Sequence, residues 1–293
     1  MTAIVLPFHR PLSIGELLDA TFRLFRLSLG KCALLALAAV VIGQLPTAID
    51  LVRGTSPLSL EGRGAGWFAI ALLTGFANLL VWAVLLLRQN TIAQGGTTQF
   101  GAEFAETLRR APGTLAVVII ATIPWLLIVV GVMALVALVA QQLNVLPLLK
   151  AIPPLALTVL PVLLLPGLWL AVVLWFAVPA RVLSRLSVSG SVRHSFTLVA
   201  GNWWRSVTVL TVASFAVMVF YALGGMVGLL IAQLIASSDV AVFALTTTTV
   251  LAMLGGVFML FLVALGVVQY ADLGVRRQGD DLAARIDALE RPA

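Results

Sequence analysis

Few side chains in this sequence have the chemistry that metal binding or acid–base catalysis requires. The 293 residues include one cysteine, Cys32, and two histidines, His9 and His194. A transition-metal site needs several clustered imidazole or thiolate ligands, and these residues lie far apart in the chain. Arg193 precedes His194, and a neighbouring cation disfavours a second positive charge, so His194 is interpreted as an interface residue rather than a general base. Cys32 is interpreted as a small buried hydrophobe.

The carboxylates also lack the arrangement of a catalytic pair. Glu103 and Glu106 are three residues apart and would share one face of a helix. Arg109 and Arg110 follow at pairing distance, so the favoured interpretation is a solvated, ion-paired face. The sequence contains no glycine-rich phosphate loop, nucleophile elbow or zinc motif. We therefore predict no catalytic, cofactor-binding or metal-binding residues, and no enzymatic activity.

The composition is that of a membrane protein. It is 61% hydrophobic and 10% charged, with a mean hydropathy of +1.11. Soluble domains are usually about 45–50% apolar and about 25% charged. The net charge of +6 is spread over short segments beside apolar stretches. This distribution favours anionic lipid headgroups over nucleic acid as the partner, and we predict no nucleic-acid binding.

Six apolar stretches each reach the ~20 residues that a helix needs to cross about 30 Å of hydrocarbon. They lie at about 32–52, 67–87, 113–140, 155–178, 206–235 and 241–271. These runs are continuous rather than alternating, so helix is the expected spanning form. The sequence predicts an all-α fold: a polytopic helix bundle with six transmembrane helices that forms a single domain over 1–293.

Basic residues fall into alternate gaps between these stretches. Four segments hold most of them: Arg10, Arg23, Arg26 and Lys31, then Arg88, Arg109 and Arg110, then Arg181, Arg185, Arg193 and Arg205, and finally Arg276, Arg277, Arg285 and Arg291. The other gaps hold only Arg53, Arg63 and Lys150. Short loops rich in Lys and Arg stay cytoplasmic. We therefore predict a multi-pass protein of the bacterial inner membrane with both termini in the cytoplasm.

Amphipathic segments precede the odd-numbered spans, at about 13–29, 98–111 and 188–200. In the first, Ser13 and Glu16 have the spacing of a capping box, and Asp19 and Arg23 have that of an i,i+4 ion pair. One predicted apolar face contains Ile14, Leu18, Phe22, Phe25 and Leu29. Such helices are expected to lie in the membrane interface. The nearly equal spacing of the segments predicts three repeats, each with one interfacial helix and two spans. Residues 272–293 are predicted to be a cytoplasmic tail whose helix begins after a break at Gly279.

The predicted cytoplasmic face carries the candidate binding residues. The expected contacts with anionic lipid or a protein partner are Arg23, Arg26, Arg109, Arg110, Arg185, Arg193, Trp203, Trp204, Arg205, Arg276 and Arg277. Arginine attracts anionic headgroups, and tryptophan anchors at headgroup level.

Three segments carry a resemblance to a known family. They are the run RPLSIGELLDATFRLFR at 10–26, the segment 189–204 and the ending 270–282. Together they resemble the bacterial family labelled "glycerophosphoryl diester phosphodiesterase membrane domain", over essentially the whole chain. In its bifunctional members, the phosphodiester chemistry belongs to a separate soluble barrel with metal-binding acidic and histidine residues. The resemblance therefore implies a stand-alone six-span member without the catalytic domain, and no catalytic residue can be carried over.

Three functions are weighed. The leading hypothesis is a non-catalytic membrane-embedded partner or scaffold for an unidentified protein. The second is a transporter or channel for a lipid or small neutral solute. The predicted repeats, and a fourth span that Pro161 and Pro166 should kink or break, are features of transporters. A polar mid-depth cavity lined by Asn78, Gln44 or the Thr246–Thr249 run would favour it. The third is a lipid phosphodiester-processing enzyme, which the residue inventory disfavours.

Overall fold

A computed structural model describes residues 5, 6, 8, 10–53, 63–142, 167–235 and 240–290 of the chain. Every regular element in these ranges is an α-helix, as the composition predicted. The bounds are α1 Ile14–Val52, α2 Ala65–Ala93, α3 Phe100–Gln142, α4 Ala177–Leu183, α5 Val188–Val199, α6 Trp203–Ile235 and α7 Val240–Glu290. Residues 167–175 are also helical, and a turn at Phe176 separates them from α4.

Five helical segments of the described residues are long and apolar enough to cross a membrane, as expected for a multi-pass membrane protein. They are Ile14–Asp50, Ala65–Ala93, Phe100–Ile128, Trp203–Leu234 and Thr246–Gly279. These segments contain or overlap the predicted first, second, third, fifth and sixth spans. Most of the predicted fourth span, about 155–178, lies outside the described residues. Its described end belongs to the shorter apolar segment Gly167–Leu183.

The chain divides into two compact units rather than the single predicted domain. Unit 1 comprises Met1–Ala111 and Trp204–Ala293, and unit 2 comprises Pro112–Trp203. Within unit 1, α1 packs against α2 and α7, and α2 also packs against α7. Within unit 2, α4 packs against α5. Unit 1 therefore joins the two ends of the sequence in one helix bundle.

Two of the three predicted interfacial helices are continuous with the spans that follow them. α1 begins where the capping box predicts: Ser13 N donates to Glu16 Oε2 at 2.7 Å and Glu16 N donates to Ser13 Oγ at 3.3 Å. It then continues to Val52 without a break. α3 likewise continues through Pro112, although proline supplies no backbone donor. A helix that runs unbroken into a span follows that span's direction, so the structure differs here from the predicted flat helices at 13–29 and 98–111.

The third predicted interfacial helix is separate. α5 ends before Gly201, which has a φ of +77°, and α6 begins at Trp203. Glycine adopts this left-handed conformation without the steric cost of a Cβ, which is why helices commonly end beside it. The break predicted at Gly279 is wrong, since α7 runs from Val240 to Glu290. A helical glycine weakens a helix by about 1 kcal/mol but keeps its backbone hydrogen bonds.

The buried face of α1 is not the apolar face that the sequence indicates. Leu17, Thr21, Leu24 and Ser28 are fully buried, whereas Phe22 is 46% exposed and Leu29 is 38% exposed. The buried positions repeat at helical spacing and include two small hydroxyl residues, which allow neighbouring helices to approach closely. The more hydrophobic phenylalanine face therefore remains available to lipid or to a ligand.

Candidate functional site

A buried carboxylate holds three distant parts of unit 1 together. Asp272, on α7, accepts a hydrogen bond from Leu12 N at 2.8 Å and ion-pairs with Arg205 Nη2 at 3.0 Å and Arg276 Nε at 3.1 Å. Arg205 Nη2 and Arg276 Nη2 also donate to the Leu12 carbonyl, at 2.6 and 2.5 Å. We call these four residues the Asp272 clamp. The Asp272 side chain is 0% exposed, so the clamp closes the bundle between the N-terminal segment, α6 and α7.

The clamp has the character of a structural lock. Both carboxylate oxygens already have partners: the Leu12 amide on Oδ1 and the two guanidinium groups on Oδ2. Two arginines on one carboxylate also leave one net positive charge. The i,i+4 spacing of Asp272 and Arg276 is visible in the sequence, but the partnership with Arg205 and Leu12 is not.

A second buried ion pair closes another part of unit 1. Arg63 Nη2 lies 2.8 Å from Asp50 Oδ2, and both side chains are at most 6% exposed. The Arg63 guanidinium also lies over the Trp67 ring, 4.0 Å from the ring centroid. This combination of ion pair and cation–π contact fixes the end of α1 against the start of α2.

Buried amides connect the helices between these two ion pairs. Gln89, on α2, donates to Ser28 Oγ at 3.1 Å and to the Leu260 carbonyl at 3.0 Å, and so bridges α1 and α7. Gln269 donates to the Ser206 carbonyl of α6 at 3.4 Å. Such bonds act as interhelical contacts within a membrane bundle. The sequence analysis did not single out Gln89 or Gln269, because neither belongs to a recognisable motif.

The carboxylates at the start of α3 behave differently from each other. Glu106 pairs with Arg109 and Arg110, which confirms that part of the predicted ion-paired face. Glu103 instead turns towards α2: its Oε2 lies 3.8 Å from Arg88 Nε, and its side chain is 10% exposed. The predicted shared solvated face is therefore wrong for Glu103, since α2 packs close enough to supply a cation.

Unit 1 contains one described aromatic pocket of about 290 Å³ between α1, α6 and α7. Its lining is entirely apolar: Phe22, Phe25, Ala216, Val217, Phe220, Leu254, Val257, Phe258 and Phe261. The Phe261 ring centroid lies 5.0 Å from that of Phe22 and 6.0 Å from that of Phe25. The phenylalanines that the sequence assigned to an amphipathic face thus form one wall of a pocket with residues more than 190 positions later.

The predicted contact residues are not brought together at one place. Arg23 and Arg26 are exposed on α1 in unit 1, and neither makes an ion pair or hydrogen bond with another described residue. The i,i+4 pair predicted between Asp19 and Arg23 is therefore not formed. Arg193 is exposed in unit 2 and is likewise without such a partner among the described residues. The other exposed members are Arg109, Arg185, Trp204 and Arg277, while Trp203 is half-buried.

Three predicted contact residues serve the interior instead. Arg205 and Arg276 belong to the Asp272 clamp, with side chains 18% and 23% exposed. Arg110 is buried and pairs with Glu106. His194, on α5, is half-buried, and this burial lowers its pKa below the ordinary histidine value. A lowered pKa keeps the imidazole neutral at pH 7. The interpretation of His194 as an interface residue stays a prediction.

Two mid-depth hydroxyls are satisfied within their own helices. Thr247 Oγ1 donates to the Phe243 carbonyl at 3.0 Å, and Thr74 Oγ1 donates to the Ala71 carbonyl at 2.9 Å. Each bond is made to the preceding turn of the same helix. Neither Gln44 nor Asn78 lines the aromatic pocket. The described residues also contain no group of three or more His, Cys, Asp or Glu that could hold a metal ion.

No family model, curated protein or solved structure matches this chain. Functional inference therefore depends on the geometry of the described residues and on the sequence itself.

Proposed function

We propose that this chain is a non-catalytic protein of the bacterial inner membrane that acts as a membrane-embedded partner or scaffold. The observation that carries the proposal is the division of the polar side chains between bonds inside the bundle and exposure at its surface. Several of those buried in unit 1 bond to neighbouring helices, as in the Asp272 clamp and the Gln89 bridge. Cations such as Arg23, Arg26 and Arg193 remain exposed. Chemistry inside the bundle is thereby disfavoured, and recognition at its surface is favoured.

The charged residues of α1 and α2 suggest where the bilayer lies. At about 1.5 Å per residue, α1 rises roughly 29 Å between Lys31 and Asp50, and α2 rises roughly 32 Å between Trp67 and Arg88. Both lengths match the ~30 Å hydrocarbon core of a bilayer. In this proposal the Asp50–Arg63 pair lies at the external boundary, and Lys31 with Arg88 marks the cytoplasmic one.

The same arithmetic supports an upright cytoplasmic extension. From Ile14 to Lys31, α1 rises roughly 26 Å beyond the proposed cytoplasmic boundary. The part of α7 that lies beside this extension includes residues 263–269, which are buried by protein. Val257 and Met253, on the hydrocarbon side of the boundary, are exposed. Protein thus covers the apolar residues of α7 in this extension, whereas Phe22 of α1 stays 46% exposed. The Asp272 clamp would lie at its far end, in the cytoplasm with both termini.

Six spans and a threefold repeat also belong to this proposal. Both termini can be cytoplasmic only if the chain crosses the membrane an even number of times. The described residues supply five apolar segments, and the predicted span at about 155–178 would supply the sixth crossing. The resemblance to the phosphodiesterase membrane-domain family supports a stand-alone membrane component. Reporter fusions after residue 142 and after residue 293 test the topology. An external C-terminus would reject it.

Site-specific photo-crosslinking in the native membrane tests the scaffold function. A photoreactive amino acid at Trp204, which is 76% exposed, should give a discrete adduct with one protein. The same substitution at Leu34, which is 81% exposed within the proposed hydrocarbon zone, is the control and should give lipid adducts. The protein captured in this adduct must also co-purify with the unmodified chain. Deletion of this chain must lower the level or activity of that protein. Only lipid adducts at both positions would reject the proposal.

The second candidate is a lipid transporter, and the aromatic pocket supports it. A wholly apolar lining suits an acyl chain better than a polar solute. Purified protein in liposomes should then accelerate the exchange of a fluorescent phospholipid between leaflets. A rate equal to that of protein-free liposomes would reject transport and leave the scaffold function in place.

A further inference from the structure

We propose that the aromatic pocket binds one acyl chain of an anionic phospholipid whose phosphate is held by Arg26 and Arg23. This inference rests on the proposed membrane placement and adds a ligand that the scaffold function does not require. Three features of unit 1 carry it: the wholly apolar lining, the position of two cations that pair with no described residue, and the direction of the pocket along α7.

The lining fits a hydrocarbon chain. The pocket has a volume of about 290 Å³, room for roughly ten atoms or groups of the size of a water molecule at ~30 Å³ each. Phe22, Phe25 and Phe261 form one end, and Phe220 and Leu254 belong to the other. From Phe261 to Leu254, α7 rises roughly 10 Å. A segment of one acyl chain can therefore lie along the helix within this groove.

The pocket runs in the direction that a lipid tail takes. Gln89 bonds to both Ser28 and Leu260, so these residues lie at one depth, close to the proposed cytoplasmic boundary at Lys31. Leu254 is then on the hydrocarbon side of that boundary, whereas Phe22 and Phe25 are on the headgroup side. An acyl chain that enters beside the phenylalanines would continue past Leu254 into the bilayer.

Two cations stand at the headgroup end. Arg26 follows Phe25 directly and is one turn from Phe22, separated from it by only about 40° around the helix axis. Arg23 follows Phe22. Both are exposed, and neither ion-pairs with a described residue. A phosphate beside these guanidinium groups would complement two charges that no described residue compensates. This charge complementarity selects an anionic lipid rather than a zwitterionic one.

Lipid retention by the purified full chain tests the site. Protein in nanodiscs with equal amounts of phosphatidylglycerol and phosphatidylcholine would be extracted into mild detergent, and the retained lipid counted by native mass spectrometry. Wild type should retain one phosphatidylglycerol in preference to phosphatidylcholine. Arg26→Gln should lower this preference about fivefold, which is the ~1 kcal/mol expected for one cation near an anionic surface. Arg53→Gln, an exposed cation directly after the opposite end of α1, is the matched control.

Filling the pocket tests the acyl-chain half of the proposal. Val257→Trp places a large ring in the groove and should lower lipid retention at least about tenfold, equivalent to losing two buried methylene groups. Leu230→Trp introduces the same ring at a 62% exposed position of α6 outside the pocket and should retain lipid like wild type. Size-exclusion profiles identify any variant that fails to fold, and Arg26→Gln tests the site without changing the helix packing.

A phosphatidylglycerol with a photoreactive group at the end of one acyl chain locates the bound tail. Labelling of peptides that contain Phe220 or Leu254, competed by unlabelled phosphatidylglycerol, supports the site. Equal retention of the two lipids by wild type would overturn it. So would equal losses from both tryptophan variants. These lipid results use the isolated protein, so they are distinguishable from a failure of the scaffold function in the native membrane.

Discussion

Replacing Asp272 with asparagine should release a buried ion-pair cluster of unit 1. Asparagine has nearly the same size as aspartate but no charge, so two guanidinium groups would lose their common counterion. Breaking a buried ion pair by removing one partner typically costs about 3–5 kcal/mol. Arg205 and Arg276 are 18% and 23% exposed and can partly rehydrate. We therefore expect Asp272→Asn to lower the free energy of unfolding by about 2–4 kcal/mol.

The control is a carboxylate that pairs at the surface. Glu16 lies 2.5 Å from Arg10, and these side chains are 40% and 68% exposed. The Glu16 carboxylate raises the pKa of Arg10 without being buried beside it. Glu16→Gln keeps a side chain that can still complete the capping box. Because exposed pairs contribute little, this variant should change the stability much less than Asp272→Asn does.

Equilibrium unfolding in mixed detergent and dodecyl sulfate micelles, followed by tryptophan fluorescence, measures both variants. Arg205→Gln combined with Asp272→Asn should cost less than the sum of the single changes, because each removes the same interaction. Equal small effects of Asp272→Asn and Glu16→Gln would refute the clamp. So would strict additivity in the double-mutant cycle, since independent residues cannot share one contact.

Three further predictions concern packing, the second ion pair and pH. Gly256→Val should destabilise unit 1 by about 1–3 kcal/mol in the same assay, because a Cβ at Gly256 would lie 2.8 Å from Val40 Cγ2. Gly225→Ala is the control: its added Cβ makes only ordinary van der Waals contact, so this variant should be near neutral. Asp50→Asn should likewise cost about 2–4 kcal/mol, and a loss below that of Glu16→Gln would contradict its burial. The lowered pKa of His194 means that the unfolded chain binds a proton first, so stability should fall as the pH drops below the ordinary histidine pKa. A His194→Gln variant with the same acid sensitivity in hydrogen exchange of α5 would contradict this.

Local sequence patterns predicted local structure well. The capping box at Ser13 starts α1, and the Thr247 hydroxyl bonds to its own helix. The last two helices approach closely at small residues: a Cβ added at Gly225 would lie 3.5 Å from Leu251 Cδ2. These features depend on residues within one or two turns, or on the absence of a side chain. A single sequence carries that information directly.

Helix ends were predicted less well than helix existence. Gly279 has the residue type of a break, yet α7 continues through it, and α1 joins a charged amphipathic segment to an apolar span. Glycine and charge lower helix propensity by at most about 1 kcal/mol per residue, which packing against neighbouring helices readily offsets. Gly201 does end a helix, and its left-handed φ distinguishes it from Gly279 only once the backbone is known.

The sequence alone determined that this chain is helical, multi-pass and poor in reactive groups, because those properties follow from composition and from the length of its apolar runs. Tertiary structure alone decided which polar residues meet. Arg205 was predicted as a surface cation and instead binds Asp272, while Phe22 and Phe25 join Phe261 to form a pocket. The physical reason is that an ion pair or a pocket depends on helix pairing and axial register. Residues 61 to 260 positions apart are brought together by contacts that no local pattern encodes.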